Sequence, residues 1–315
     1  MRLDRVTLAL LSVQLLFAVH YVAAKWLLTL IPPPAWVALR VTGAAVVLVL
    51  VTRSRWKDWP RDRGTWLKLA VLAVFGVVLN QILFLEGLSR TVPSHSALIN
   101  TSIPVTTLLV AVLLRQERLT ARKALAVALS LSGVLFLMGL DRTDLAGGTL
   151  LGDILCLVNA TSFSVYLVLS KPVVARLGAR VTTPTTFLLG SLAVLAYGAP
   201  SLSTHDWSQV PWTAYALGAA IIAGPTVGAY MLNLWALRRV DSSRVALFVY
   251  LQFLLAAPLS AWLLRETLSW RLIPAAVLVF AGVALSSTGK GKGPPTYVGS
   301  PPRDIRSEAR TSSGT

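Results

Sequence analysis

One cysteine and three histidines in 315 residues are too few for a disulfide framework or a His/Cys metal centre. Cys156 lies in an apolar run and has no second thiol to pair with. Charge is scarce as well: 13% of residues are charged against 55% apolar, which excludes a water-soluble core for a chain of this length. With only 13 acidic residues the net charge is +16. The basic residues fall almost wholly between apolar runs, where cytoplasmic loops need them, so nucleic acid is not an expected partner. No Gly-rich Walker loop, His-Glu-x-x-His or Gly-x-Ser-x-Gly appears, so direct use of ATP, zinc hydrolysis and serine hydrolysis lack their signatures. No cofactor and no metal is expected.

What the chain does have is long apolar runs. Ten segments meet or approach the roughly 20 residues that a bilayer-crossing helix needs: 6–30, 34–52, 66–88, 94–114 and 122–140, then 150–171, 183–200, 212–237, 243–264 and 271–288. Pro32-Pro33-Pro34, Gly147-Gly148 and the stretch from Pro200 to Pro211 mark breaks between them. Trp26, Trp36, Trp56, Trp66, Trp207, Trp212 and Trp270 crowd the ends, as interfacial aromatics should. The start resembles a signal peptide in its basic flank and apolar stretch but lacks a small-x-small cleavage site, so it reads as a retained first helix. A cytoplasmic N-terminus puts most Lys and Arg inside and leaves only Arg90, Arg142, Arg265 and Arg271 in outer loops. The expectation is a protein integral to the cell membrane with both termini cytoplasmic. The Gly, Pro and Ser rich tail, 289–315, reads as disordered.

The runs form two copies of one unit. Leu113-Leu114-Arg115-Gln116-Glu117-Arg118-Leu119 returns as Leu263-Leu264-Arg265-Glu266-Thr267-Leu268, and in each copy a Gly, Gly133 or Gly282, follows the Glu by sixteen residues. The offset of 149 also superposes Ala97-Leu98 on Ala246-Leu247. At the head of each copy Phe17 to Lys25 reads against Phe163 to Lys171, three residues closer. The copies are 1–140 and 141–288. Five spans per copy is odd, so the second copy enters the membrane upside down: an all-α polytopic protein of ten helices in two inverted repeats, a construction common among secondary transporters.

The run Asn80-Gln81-Ile82-Leu83-Phe84-Leu85-Glu86-Gly87-Leu88-Ser89-Arg90-Thr91, then Ser94-His95-Ser96-Ala97-Leu98-Ile99, Pro104 and Glu117-Arg118-Leu119-Thr120, resembles the EamA repeat of the drug/metabolite transporter superfamily. The resemblance spans both halves and is weaker in the second, where Glu266-Thr267-Leu268-Ser269 stands for the fuller motif. It implies a ten-helix permease with both termini inside, acting on small organic solutes and most often exporting them. It fixes no substrate.

Ionisable groups within a span face a cavity or a partner. Lys25, Arg40, Glu86 and Asp153 fall in the outer third of spans one, two, three and six and are expected at one depth, as a gate or a proton-coupling layer; helix-end snorkelling is the plainer alternative. Glu86 leads for proton coupling, because an apolar setting raises a carboxyl pKa. His20, Asn80, Gln81, Asn159 and Tyr250 place an imidazole, amides and a phenol near mid-span, where they bind substrate or serve as interhelical glue. Pro104, Pro225 and Pro258 interrupt three spans and free backbone carbonyls. Glu117 and Glu266 belong to tight turns, with Thr120 and Ser269 capping the helices that follow, so both read as structural.

The leading expectation is therefore a secondary transporter of a small organic molecule, such as a metabolite, amino-acid-like or drug-like compound, exporting by alternating access and proton antiport. A membrane-embedded enzyme and a non-transporting accessory or sensory subunit are the alternatives. Partners are the substrate and membrane lipid, with a homodimer left open. The chemistry is expected where the copies differ: Arg40 against Gly190, His20 against Tyr166, and Glu86 against Trp235.

Overall fold

The computed structural model describes residues 5–115, 119–139, 149–237 and 248–287, and at 233, 234, 237, 250, 286 and 287 it describes the backbone alone. The described residues contain helices and turns and no strand. In order they are α1 (Arg5–Leu27), α2 (Pro33–Val51), α3 (Arg63–Ala73), α4 (Asn80–Arg90), α5 (Pro93–Asn100), α6 (Ile103–Leu113) and α7 (Ala121–Met138). There follow α8 (Leu150–Leu177), α9 (Ala179–Thr204), α10 (Trp212–Ile221), α11 (Ala229–Leu237), α12 (Tyr250–Leu263) and α13 (Leu272–Ser287). Among the described residues seven helical stretches are long and apolar enough to cross a membrane; α5 and α6, bent by 41°, make an eighth if taken together, and α12 and α13 are shorter apolar helices. Leu15, Leu50, Leu67, Leu113, Leu151, Leu192 and Ile273 all face outward, leaving an apolar exterior that suits lipid rather than water.

Helix ends follow local chemistry. Asp62 caps α3 by accepting from the Thr65 amide at 2.7 Å. The Thr65 hydroxyl, and then that amide, hold the Asp62 carboxyl below the usual carboxylate range. Thr120 caps α7 as expected, accepting from the Lys123 amide at 3.3 Å. The repeated Leu-Leu-Arg ends its helix in the same way twice: Arg115 (φ 57°) and Arg265 (φ 53°) both turn left-handed. Two proline boundaries differ from the sequence reading. Helix α8 runs through Pro172 and α9 through Pro200, because the lost hydrogen bond falls near an end that frays in any case. Trp36, expected at an interface, is buried in the core, where its ring lies over Gly218. Glu117 and the tail 289–315 lie outside the described residues.

Contacts recur at the repeat spacing. Helix α7 packs on α13, and α2 on α9; α4 packs on α8 as α11 packs on α1, and α6 on α8 as α12 on α1. Ser130 donates to the Val279 carbonyl at 3.2 Å, and Gln81 to the Tyr230 phenol at 3.4 Å, and in both pairs the partners are 149 residues apart. The α7–α13 crossing is a close one. A Cβ at Gly133 would stand 2.8 Å from the Ala275 carbonyl, and one at Gly282 would stand 2.6 Å from the Ala126 carbonyl. Small residues at a membrane helix crossing let the backbones approach, and here both copies use the same one.

Span three and its counterpart, span eight, share a further feature. Val74–Leu79 joins α3 to α4 as a π-helical segment, and Ile222–Gly228 joins α10 to α11 in the same way. Gly76 in the first matches Pro225 in the second at the 149 offset. Pro225 lacks an amide and forces the wider turn, whereas Gly76 yields to the Tyr166 ring, which sits where a Cβ would be. Ser162 donates to the Phe75 carbonyl at 2.8 Å, taking up an acceptor in the widened turn.

Candidate functional site

Just after each π segment comes a polar side chain aimed at the bundle centre: Gln81 from α4 and Tyr230 from α11. Around them gather Arg40 from α2, His20 from α1, Asn80 from α4 and Asn159 from α8. Arg40 Nη1 donates to His20 Nε2 at 2.8 Å, and Arg40 Nη2 donates to Gln81 Oε1. Gln81 Nε2 donates to Asn80 Oδ1 at 2.8 Å, and Asn159 Nδ2 to the Asn80 carbonyl at 2.7 Å. The guanidinium lies 5.8 Å from the centre of the Phe84 ring, which stacks on His20. Nearby, Tyr21 donates to Gln252, whose amide reaches Gln14 at 2.7 Å. Four of the expected substrate-binding residues, His20, Asn80, Gln81 and Asn159, are thus buried together. The side chain of the fifth, Tyr250, lies outside the described residues.

The ring of His20 can be assigned a tautomer from its partner. A guanidinium only donates, so His20 Nε2 accepts and the ring proton resides on Nδ1. The imidazole is neutral in this arrangement.

A second cluster closes the bundle at the α4–α5 turn. Lys25, at the end of α1, donates to the carbonyls of Leu88 at 2.9 Å, Ser89 at 3.0 Å and Thr91 at 2.6 Å, so a neighbouring helix supplies the cation that caps α4. Asp153 on α8 is fully buried; it accepts from the Thr91 hydroxyl and pairs with His95 Nδ1 at 3.0 Å. Glu266 accepts from the hydroxyls of Ser94 and Ser260, tying the end of α12 to the start of α5. Cys156 donates to the Ser96 hydroxyl at 3.2 Å.

The four ionisable groups expected at one depth separate. Lys25 and Asp153 meet at Thr91, and Glu86 stands at the same end, but Arg40 bonds to residues five positions deeper along α1 and α4, about 7 Å at the helical rise. Glu86 pairs with Arg90 one turn on and accepts from the Tyr197 phenol at 2.7 Å. His95 and Thr91 are members of these clusters to which the sequence reading gave no role, and Tyr230 joins the central one 149 residues from Gln81. Pro104 opens α6 after the bend, and Pro258 lies inside α12.

Comparison with known proteins agrees with this architecture. The model of the EamA-like transporter family matches the chain twice, over residues 5–139 and 150–288. An uncharacterized transporter of Archaeoglobus fulgidus is 29% identical over 74% of this chain and 81% of its own. A WAT1-related protein of Arabidopsis thaliana is 26% identical over 70% of this chain and 64% of its own. A solved crystal structure superposes with a TM-score of 0.59 at 21% identity, covering 89% of this chain and 96% of its own, which shows the shared fold.

Proposed function

The chain belongs to the EamA-like transporter family and is an integral membrane transporter, and from that premise we propose that it exports a small organic solute by alternating access, driven by proton antiport. The observation that carries this reading is the central cluster, where side chains from both copies, Gln81 and Asn80 from one and Tyr230 and Asn159 from the other, meet in an apolar bundle. Burying so many polar groups between apolar helices is costly unless they serve a ligand or one another. Contacts that recur at the repeat spacing support ten helices in two inverted copies, the arrangement in which exchanging the conformations of the copies moves an opening from one side to the other.

In this reading both termini are cytoplasmic and the membrane is the cell membrane, with the α4–α5 end facing out. That end is the closed one. Lys25, Asp153, His95 and Glu266 form its latch, and the exporting proton enters at the Asp153–His95 pair. A proton on Asp153 removes the charge that holds Thr91 and His95, and the turn is released. Lys25 across Thr91, Cys156 on α8 and Glu266 behind Ser94 are the charged and titratable groups that face it. Glu86, with its own ion pair and phenol, serves the wall beside the latch.

The test is solute flux in proteoliposomes over a panel of labelled amino acids and other small metabolites, with an imposed pH gradient of either sign. Uphill movement of one of them against the proton gradient is expected. A purified chain that moves none of the panel, with or without a gradient, removes the transport reading. Asp153→Asn is expected to keep downhill exchange and lose gradient-driven accumulation; retained accumulation removes the proton site.

A further inference from the structure

Among the described residues Arg40 is a buried cation without a counter-charge. It is 5% exposed, and its Nε has no acceptor. The six carboxylates among the described residues are all engaged elsewhere: Asp58 with Arg55, Asp62 with Thr65 and Arg176, Glu86 with Arg90, Asp153 with His95, Asp206 with Ser208 and Glu266 with Ser94. Only neutral groups, the His20 ring and the Gln81 amide, accept from the guanidinium. An ion left this way in a protein interior carries a desolvation penalty that neutral partners do not recover.

The second unmatched group is on its neighbour. His20 is 5% exposed, carries its proton on Nδ1, and that nitrogen also lacks an acceptor. Two buried N–H donors on adjoining side chains, one of them on a permanent cation, thus face no acceptor, while the Tyr230 phenol approaches from the other copy through Gln81. What would complete the guanidinium is an anion. The surroundings, Phe84 beneath the guanidinium and Phe17 and Phe187 edge-on to Tyr230, suit an apolar body attached to it.

We propose that Arg40, held in place by His20, is the anion subsite of the transport site, and that the solute is a small organic carboxylate that accepts from Arg40 Nε–H. The planar guanidinium matches the planar carboxylate, and the bound anion supplies the missing charge. This names the substrate class within the transporter reading, and it is tested by binding so that it stands or falls apart from flux.

The full chain, purified in detergent, is titrated with sodium phenylacetate, its uncharged amide phenylacetamide, sodium phosphate and sodium chloride, and read by thermal shift and by calorimetry. Phenylacetate is expected to stabilise the protein and to bind about tenfold or more tightly than the amide, with chloride inert. Arg40→Gln abolishes that preference, and His20→Asn weakens carboxylate binding without touching the charge. Equal response to acid and amide overturns the proposal. So does an Arg40→Gln variant that still prefers the acid, and so does stabilisation by phosphate with none by the carboxylate. If Arg40→Gln does not fold, the acid–amide comparison on the unaltered chain and on His20→Asn decides. Anion binding without flux leaves the subsite standing and removes the transport reading; flux of a neutral solute with no anion binding does the reverse.

Discussion

The cluster at the α4–α5 end and the cluster at the bundle centre use similar side chains, a cation, a histidine and their hydrogen-bonding neighbours, yet they differ in how completely these are matched. At the end, Lys25 meets three carbonyls, Asp153 meets Thr91 and His95, and Glu266 meets two hydroxyls. At the centre, Arg40 meets only neutral acceptors, and its Nε and His20 Nδ1 meet none. A satisfied buried network holds a shape, whereas an unsatisfied one keeps capacity for something not yet bound. In the proposed reading that difference separates a latch from a binding site, although both clusters are polar and buried.

That contrast predicts opposite responses to losing a charge. The largest effect is expected for Asp153→Leu, which leaves His95 and Thr91 without their shared acceptor. It should cost about 3 kcal/mol, read as a lowered midpoint of thermal unfolding in detergent. Lys25→Met should cost about 2 kcal/mol by uncapping α4. Its counterpart in the second copy sharpens the point, because Lys171 is exposed, so Lys171→Met should change stability by less than about 0.5 kcal/mol. Equal losses at the two lysines would break the distinction between them. Ser94→Ala should cost about 1 kcal/mol, since Glu266 keeps Ser260. The smallest effect belongs to the centre. Arg40→Met removes an uncompensated ion along with two hydrogen bonds, so the unliganded protein should stay within about 1 kcal/mol of the parent. A loss as large as that of Asp153→Leu would mean that Arg40 is a structural strut.

Much of this was legible in the residues. The apolar runs locate the helices, and Thr120 caps where it should. What escaped depends on three-dimensional register. Counting residues put Arg40 level with Lys25, but a count along each span ignores where neighbouring helices cross, and the guanidinium lands beside His20 and Gln81 instead. Glu86 looked apolar in its setting because its partners are elsewhere, Arg90 a turn away and Tyr197 in the other copy. His95 gave little sign of its role, since nothing local points a residue at the head of α5 toward Asp153 on α8. Proline misled where it lies close to a helix end, at Pro172 and Pro200.

The pairing of Gln81 with Tyr230 carries a consequence for how such a protein can change over evolutionary time. At the 149 offset these two positions are one position in the ancestral unit, and they touch. In an assembly of two identical chains every residue there would face its own twin, and an arginine beside it would face another arginine. Joining the units in one chain frees the copies to drift apart, so that His20 stands opposite Tyr166. The centre thereby acquires a head and a tail, and a solute that is itself lopsided has one way to lie in it.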